Sequence, residues 1–191
     1  MSTQTSSAHG KTPRDLSATV VALTSLSGEG STISGEISVV ALSEGVESED
    51  LRVKSPAHLD LTLRRDGGRF LAHGTVEATI HQPCSRCLAE FDTRLMMRFE
   101  RFYMIGSDPD DVPGEHQMEE DLVYLEEGEL SLKRLVAEEV ILSVPMVPLC
   151  SEACAGLCAG CGADLNREQC GCADPEPTGP FAALANLKIS S

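Results

Sequence analysis

Residues 58–81 read HLDLTLRRDGGRFLAHGTVEATIH, and this stretch decides the fold class. Leu59, Leu61 and Leu63 alternate with His58, Asp60, Thr62 and Arg64, which is the two-residue period of a strand that buries one face. Asp66-Gly67-Gly68 supplies a tight turn. Beyond it, Phe70, Ala72, Gly74, Val76, Ala78 and Ile80 share one side, and Leu71, His73, Thr75, Glu77, Thr79 and His81 share the other. The pattern predicts a β-hairpin. Its second strand runs into Pro83 and Cys84-Ser-Arg-Cys87, after which Phe91, Leu95, Met97 and Phe99 alternate again through about Tyr103.

On the N-terminal side, residues 16–26 and 33–42 read as two strands separated by turn signals at Gly28 and Gly30. The polar residues 1–14 read as a disordered tail. On the C-terminal side, residues 102–132 hold ten Asp or Glu and no Lys or Arg, which predicts a long loop with a short strand at 122–125. Ser131 is placed to N-cap a helix in which Leu132, Leu135, Val136 and Val140 fall at helical spacing, and Pro145 stops it. The expected class is α+β. An antiparallel β portion precedes one main helix and a C-terminal cysteine-rich zinc module. The expected divisions are a tail over 1–14, an α+β domain over 15–149 carrying the first knuckle and the acidic loop, a zinc module over 150–172, and a tail over 173–191. In that last tail Phe181, Leu184 and Ala185 share a helical face, a pattern suited to a short partner-binding motif or to packing on the chain's own core.

The chain has 191 residues, 41% of them hydrophobic, so a globular core is attainable. No apolar run approaches the roughly 20 residues needed to span a bilayer. Residues 1–10 lack an apolar signal core, so a cytoplasmic location is expected. The formal net charge of −15 argues against a free DNA binder, which carries a basic footprint, and favours basic partners. The modestly basic exception runs from Arg64 to Arg101, where seven arginines face five carboxylates; direct RNA contact, if made, is expected there. Neither a membrane nor a small-molecule substrate is suggested.

Eight cysteines carry the chemistry: Cys84, Cys87, Cys150, Cys154, Cys158, Cys161, Cys170 and Cys172. In a reducing compartment, clustered cysteines more often bind metal than form disulfides. A structural zinc takes four thiolates in a tetrahedron, and a Cys-x-x-Cys knuckle offers two from one turn. Cys84/Cys87 and Cys158/Cys161 are such knuckles. The compact grouping is Cys158, Cys161, Cys170 and Cys172, leaving Cys84 and Cys87 to join Cys150 and Cys154. Two structural zinc ions are the leading reading; one zinc with spare thiols, disulfides and redox chemistry are the alternatives. Arg86, inside the first knuckle, is a candidate partner contact, against the plainer reading of an exposed arginine offsetting thiolate charge. His58, His73 and His81 project from the hairpin, and His81 lies near enough in sequence to be weighed as a substitute ligand. Pro83-Cys84-x-x-Cys87 matches half of a zinc deaminase signature, but no His-x-Glu accompanies it. Nothing resembles a phosphate-binding loop or a nucleophile elbow. No enzymatic activity is expected.

The combination of landmarks resembles the YceD family. They are Gly74-Thr-Val, Cys84-Ser-Arg-Cys87-Leu88, the acidic stretch, Glu138-Glu139-Val140-Ile141-Leu142, Leu157-Cys158-Ala-Gly-Cys161-Gly162-Ala-Asp-Leu165-Asn166, Cys170-Gly-Cys172, and Pro180-Phe181-Ala-Ala-Leu184 through Lys188. The resemblance implies a role in accumulation or processing of large-subunit (23S) ribosomal RNA, with ribosomal RNA or large-subunit ribosomal proteins as partners. It further implies that the Cys84/Cys87/Cys150/Cys154 site is the more general one, since some members lack the second cluster. In many bacteria the family's gene neighbours that of a zinc-ribbon ribosomal protein, which suggests a chaperone for a basic partner. No catalytic residue is carried over. A redox- or zinc-responsive regulatory protein is the alternative.

Overall fold

A computed structural model describes residues 13–26, 30–46, 48, 51–107, 122–172 and 182. The chain forms two compact units. One takes the chain to Gln82 together with Phe91–Met146; the other joins Pro83–Glu90 to the chain from Val147. The knuckle at 84–87 therefore groups with the cysteine-rich segment and not with the strands that flank it in sequence. The 108–121 part of the acidic stretch, the tail residues Phe181 and Leu184, and residues 1–12 lie outside the described residues.

The first unit is built on a six-stranded sheet. Its main path is β2 (Ser31–Ile37), β4 (Ala57–Asp66), β5 (Arg69–Pro83), β6 (Glu90–Ile105) and β7 (Leu122–Leu125), and β3 (Arg52–Val53) also pairs with β5. The hairpin forms where the alternation places it. Asp66 pairs with Arg69, leaving Gly67 and Gly68 as the turn, and Gly67 takes φ +61°. Ala57, Leu59, Leu61 and Leu63 of β4 are buried together with Ala72, Val76, Ala78 and Ile80 of β5. At about 1.5–3 kcal/mol for each fully buried large aliphatic side chain, this face dominates the unit's stability. Gly74, opposite Leu61, is required by close strand approach: a Cβ there would stand 2.0 Å from the Asp60 carbonyl oxygen.

The core face is closed by α1 (Val39–Val46) and α2 (Leu132–Ser143), which pack on each other. Ser131 caps α2 as expected, its Oγ accepting from the Arg134 N–H at 3.4 Å, and Leu132, Leu135, Val136 and Val140 are buried. The remaining small sheet pairs β1 (Val20–Ala22) with β8 (Glu129–Ser131), antiparallel.

Three expectations need correction. Helix α1 occupies a stretch expected to be strand, so the unit has two α-helices instead of one. Val39 and Val40 cost at most roughly 0.7 kcal/mol each in helix propensity, whereas burying Leu42 and Val46 returns more. Ser38 also starts the helix, its carbonyl accepting from the Leu42 N–H at 3.1 Å. Within 16–26, only Val20–Ala22 is strand, and Leu23–Ser25 is a 3-10 turn that buries Leu23. The sheet is mixed: β7 pairs parallel to β6, with Phe102 opposite Leu122. The long connection over 106–121 permits this, because a parallel return needs a dozen or so residues. Arg14 and Leu16 also belong to the fold. The Arg14 carbonyl accepts from the Glu36 N–H at 2.8 Å, Leu16 is fully buried, and a Cβ on Gly35 would stand 2.3 Å from the Arg14 oxygen.

Among the described residues, no helix is long and apolar enough to cross a membrane.

Candidate metal centres

The second unit gathers all eight cysteines into two sets of four. Cys84, Cys87, Cys150 and Cys154 form one set; Cys158, Cys161, Cys170 and Cys172 form the other. Within each set every Sγ lies within 4.8 Å of the others. These are the groupings that spacing suggested. No disulfide joins any of them.

Local structure explains the first set. Cys84 to Leu88 make one tight turn: the Leu88 N–H donates to the Cys84 carbonyl at 2.9 Å, and the Cys84 N–H to the Ala89 carbonyl at 2.9 Å. Leu88 pays a steric cost in this turn, with φ at +59° and its side chain exposed. The Ser85 N–H donates to the Pro148 carbonyl at 2.8 Å, bringing the knuckle to the segment that carries Cys150 and Cys154. Arg86 fastens the same join from its other end. Its Nη1 donates to the Cys154 carbonyl at 2.9 Å, and its own carbonyl accepts from Leu157 at 3.2 Å. This candidate partner residue therefore has an internal partner for part of its guanidinium.

The donor set passes a geometric test for zinc. Four sulfurs about 2.3 Å from a central zinc stand about 3.8 Å apart at tetrahedral angles. Cys84 and Cys154 are separated by 3.8 Å between sulfurs, and Cys87 and Cys150 by 3.7 Å. Cys158 and Cys170 are closer, at 3.3 Å. Thiolate charge is also provided for. The Arg86 N–H points at Cys84 Sγ and the Gly160 N–H at Cys158 Sγ, each at 3.4 Å. Backbone hydrogen bonds from Cys150 and then Cys87 hold the Cys84 thiol down at about 6. Cys158 is held at about 6 by the backbone of Cys161 and the side chain of Cys170. Hydrogen bonding to Cys87 pushes Cys150 up to about 12, and hydrogen bonding to Cys161 does the same to Cys172. Each set thus holds one thiol shifted down and one shifted up, and cation binding by thiolates would release protons.

The two sets differ in burial. Cys84, Cys87 and Cys154 are buried, and Cys150 is exposed; in the second set Cys161 and Cys172 are exposed and none is buried.

Sequence reasoning missed the residues that support the ligands. Asn166 donates from Nδ2 to Cys154 Sγ at 3.5 Å, and its Oδ1 accepts from the Ala155 N–H at 2.8 Å. Asp164 orients it, accepting from the Asn166 N–H at 3.0 Å and from Nδ2 at 2.7 Å. These bonds hold the Asp164 carboxyl below the usual range. The only available signal was Asp164-Leu-Asn166 itself, two turn-forming side chains between metal knuckles. Of the histidines, His81 Nδ1 meets Asp92 at 2.6 Å and His58 Nε2 meets Asp60 at 3.4 Å; neither joins a cysteine set.

The family model described as "Large ribosomal RNA subunit accumulation protein YceD" matches residues 72–188. An uncharacterized protein of Mycobacterium leprae is 28% identical over 122 residues, covering 63% of this chain and 54% of the relative. An uncharacterized protein of Mycobacterium tuberculosis is 29% identical over 122 residues, covering 63% of this chain and 58% of the relative. The chain therefore matches little more than half the length of these curated relatives. The protein named "Large ribosomal RNA subunit accumulation protein YCED homolog 1, chloroplastic" from Arabidopsis thaliana is 32% identical over 60 residues, covering 31% of this chain and 19% of that protein. No solved structure matches.

Proposed function

The chain belongs to the YceD family, and on that premise we propose that it supports accumulation of large-subunit ribosomal RNA as a non-enzymatic assembly factor stabilised by two structural zinc ions. It acts in the cytoplasm through contacts with ribosomal RNA or with ribosomal proteins of the large subunit. The observation that carries the reading is the family match itself, which spans all eight cysteines, strand β6 and most of β5. A set of four thiolates fills a zinc ion's coordination and leaves no position for water, which favours a structural role over a hydrolytic one. Zinc in such a site contributes folding energy directly. The net charge of −15 favours a basic protein as the direct partner, and chaperoning such a protein into the subunit is the preferred mechanism.

The test is the ratio of large- to small-subunit ribosomal RNA in cells depleted of the protein. The proposal expects a selective fall in the large-subunit RNA. An unchanged ratio under verified depletion contradicts it. One observation favours a second reading, a redox- or zinc-responsive regulator: the second cysteine set has no buried member. That reading expects a chelator to strip one metal while the unit stays folded and the RNA ratio stays constant on depletion.

A further inference from the structure

The two Cys-x-x-Cys turns share one backbone design. The Leu88 N–H donates to the Cys84 carbonyl at 2.9 Å, and the Gly162 N–H to the Cys158 carbonyl at 2.8 Å. The Cys84 N–H donates to the Ala89 carbonyl at 2.9 Å, and the Cys158 N–H to the Ala163 carbonyl at 2.8 Å. In each turn the second residue after the first cysteine aims its N–H at that cysteine's sulfur, Arg86 at Cys84 and Gly160 at Cys158, both at 3.4 Å. The residue after the second cysteine takes a positive φ in both, +59° at Leu88 and +75° at Gly162. A Cβ at Gly162 would meet nothing within 4 Å, so the backbone angle alone calls for glycine there. The first turn puts a leucine at the same strained position.

Packing does not explain that leucine, because its side chain is 65% exposed. Leu88 is also the sole non-glycine residue with a positive φ among the described residues. Backbone strain of this kind gathers at contact and switch sites. Val147 is the unit's other strongly exposed hydrophobe, also at 65%. It precedes Pro148, whose carbonyl accepts from the Ser85 N–H, so this bond brings the Val147 segment to the turn that carries Leu88. The unit around them is acidic. Over 83–90 and 147–172, Arg86 and Arg167 stand against Glu90, Glu152, Asp164 and Glu168. With zinc bound as proposed, four thiolates around each dication add further negative charge. Arg86 is already committed in part to the Cys154 carbonyl.

We propose that Leu88 is a docking residue: its side chain, together with Val147, enters an apolar recess on a cationic partner protein, whose lysines and arginines face the acidic unit. Two observations choose this occupant. An exposed aliphatic side chain is covered by another apolar surface, which a phosphate backbone does not offer. The unit's acidity, like the chain's charge of −15, attracts a cationic protein and disfavours a second copy of the chain. Taking the partner to be a large-subunit ribosomal protein rests on the assembly-factor reading; the strained, exposed leucine does not.

The test uses the full-length protein and has two parts. Leu88→Gly is expected to leave the melting temperature unchanged or to raise it by up to about 4 °C, because glycine relieves the backbone angle while adding freedom to the unfolded chain. A clear fall in melting temperature shows that the leucine serves the chain's own fold and overturns the proposal. The probe for the partner is a photoreactive benzoylphenylalanine replacing Leu88 in cells, with the cross-linked products identified by mass spectrometry. The expected product is a protein of net positive charge. That protein, once purified, is expected to bind Leu88→Gly about tenfold or more weakly than the wild type. The same probe replacing Val40, which is 76% exposed on α1, is expected not to capture it. Cross-linking from position 88 chiefly to RNA, to a second copy, to the chain's own residues 173–191 or to nothing overturns the proposal. So does equal binding of the captured protein by wild type and Leu88→Gly. The two claims fail separately. If depletion lowers the large-subunit RNA but position 88 captures no cationic protein, the docking proposal falls and the family role stands. If the cationic protein is captured and bound through Leu88 but depletion leaves the RNA ratio unchanged, the reverse holds.

Discussion

Cys84 and Cys154 hold their sulfurs 3.8 Å apart although 70 positions separate them in the chain. That distance matches a tetrahedral edge around zinc, and the join between their two segments is held by backbone and Arg86 hydrogen bonds that need no metal. The knuckle is thus held at its rim without a cation, and its four sulfurs could hold one.

If both cysteine sets hold zinc as proposed, their unequal burial predicts unequal loss. Elemental analysis of the wild type is expected to give about two zinc ions per chain, and Cys84→Ser about one. Cys172→Ser is also expected to give about one, with a smaller loss of thermal stability, because its set has no buried member. A chelator should empty the second set first. Equal loss of stability in the two variants would contradict the ranking.

Asn166 is a positioning residue for the first set, through its Nδ2 contact to Cys154 Sγ. Asn166→Asp replaces that donor by a carboxylate beside thiolates. The expected effect is a roughly 10–100-fold weaker first site with the second unchanged, the range usual for residues that support metal ligands. Competitive titration against a chromophoric chelator measures it, and an unaltered first site would remove Asn166 from the account.

Glu139 predicts a pH dependence of stability. Burial raises its carboxyl above the ordinary value of 4.5, with Arg101 opposing the rise and Glu138 adding to it; Tyr103 lies in the same cluster. The native state therefore holds this proton more tightly than the unfolded chain. Its contribution to stability is complete below about 4.5 and is lost as pH rises through the raised native value. Glu139→Gln should flatten that part of the stability–pH curve and leave neutral-pH stability equal or higher. Urea titrations from pH 4 to pH 8 test this. A steep loss of stability at neutral pH would show that the Arg101 ion pair outweighs burial.

Gly74→Ala forces a methyl group to within 2.0 Å of the Asp60 carbonyl oxygen on the neighbouring strand. Backbone must move, and the expected cost is roughly 1–3 kcal/mol or more, read from the urea midpoint. The same substitution at Gly68, where a Cβ meets nothing within 4 Å, is the control and should be far milder.

The parts of the molecule visible in sequence are those fixed by short-range patterns. The 58–81 alternation gave the hairpin, Ser131 and the spacing to Val140 gave α2, and cysteine spacing gave both sets of four. The parts that were not visible depend on tertiary packing. Val39 and Val40 look like strand residues, and only the burial of Leu42 and Val46 makes their segment a helix. The parallel direction of β7 depends on how a long connection returns. The cysteine grouping already placed the first knuckle beside residues after 147, but the backbone bonds that hold it there, such as Ser85 to Pro148, follow from no spacing rule. Asn166 is hidden for the same reason: its role lies in contact with Cys154, twelve positions away.

The most direct test of the central claim is the ratio of large- to small-subunit ribosomal RNA in depleted cells that re-express either the wild type or Cys84→Ser at matched levels. Depletion is expected to lower the ratio, the wild type to restore it and Cys84→Ser to leave it low. A ratio that never changes on depletion would contradict the proposed role, and full rescue by Cys84→Ser would contradict the dependence of that role on the first metal centre.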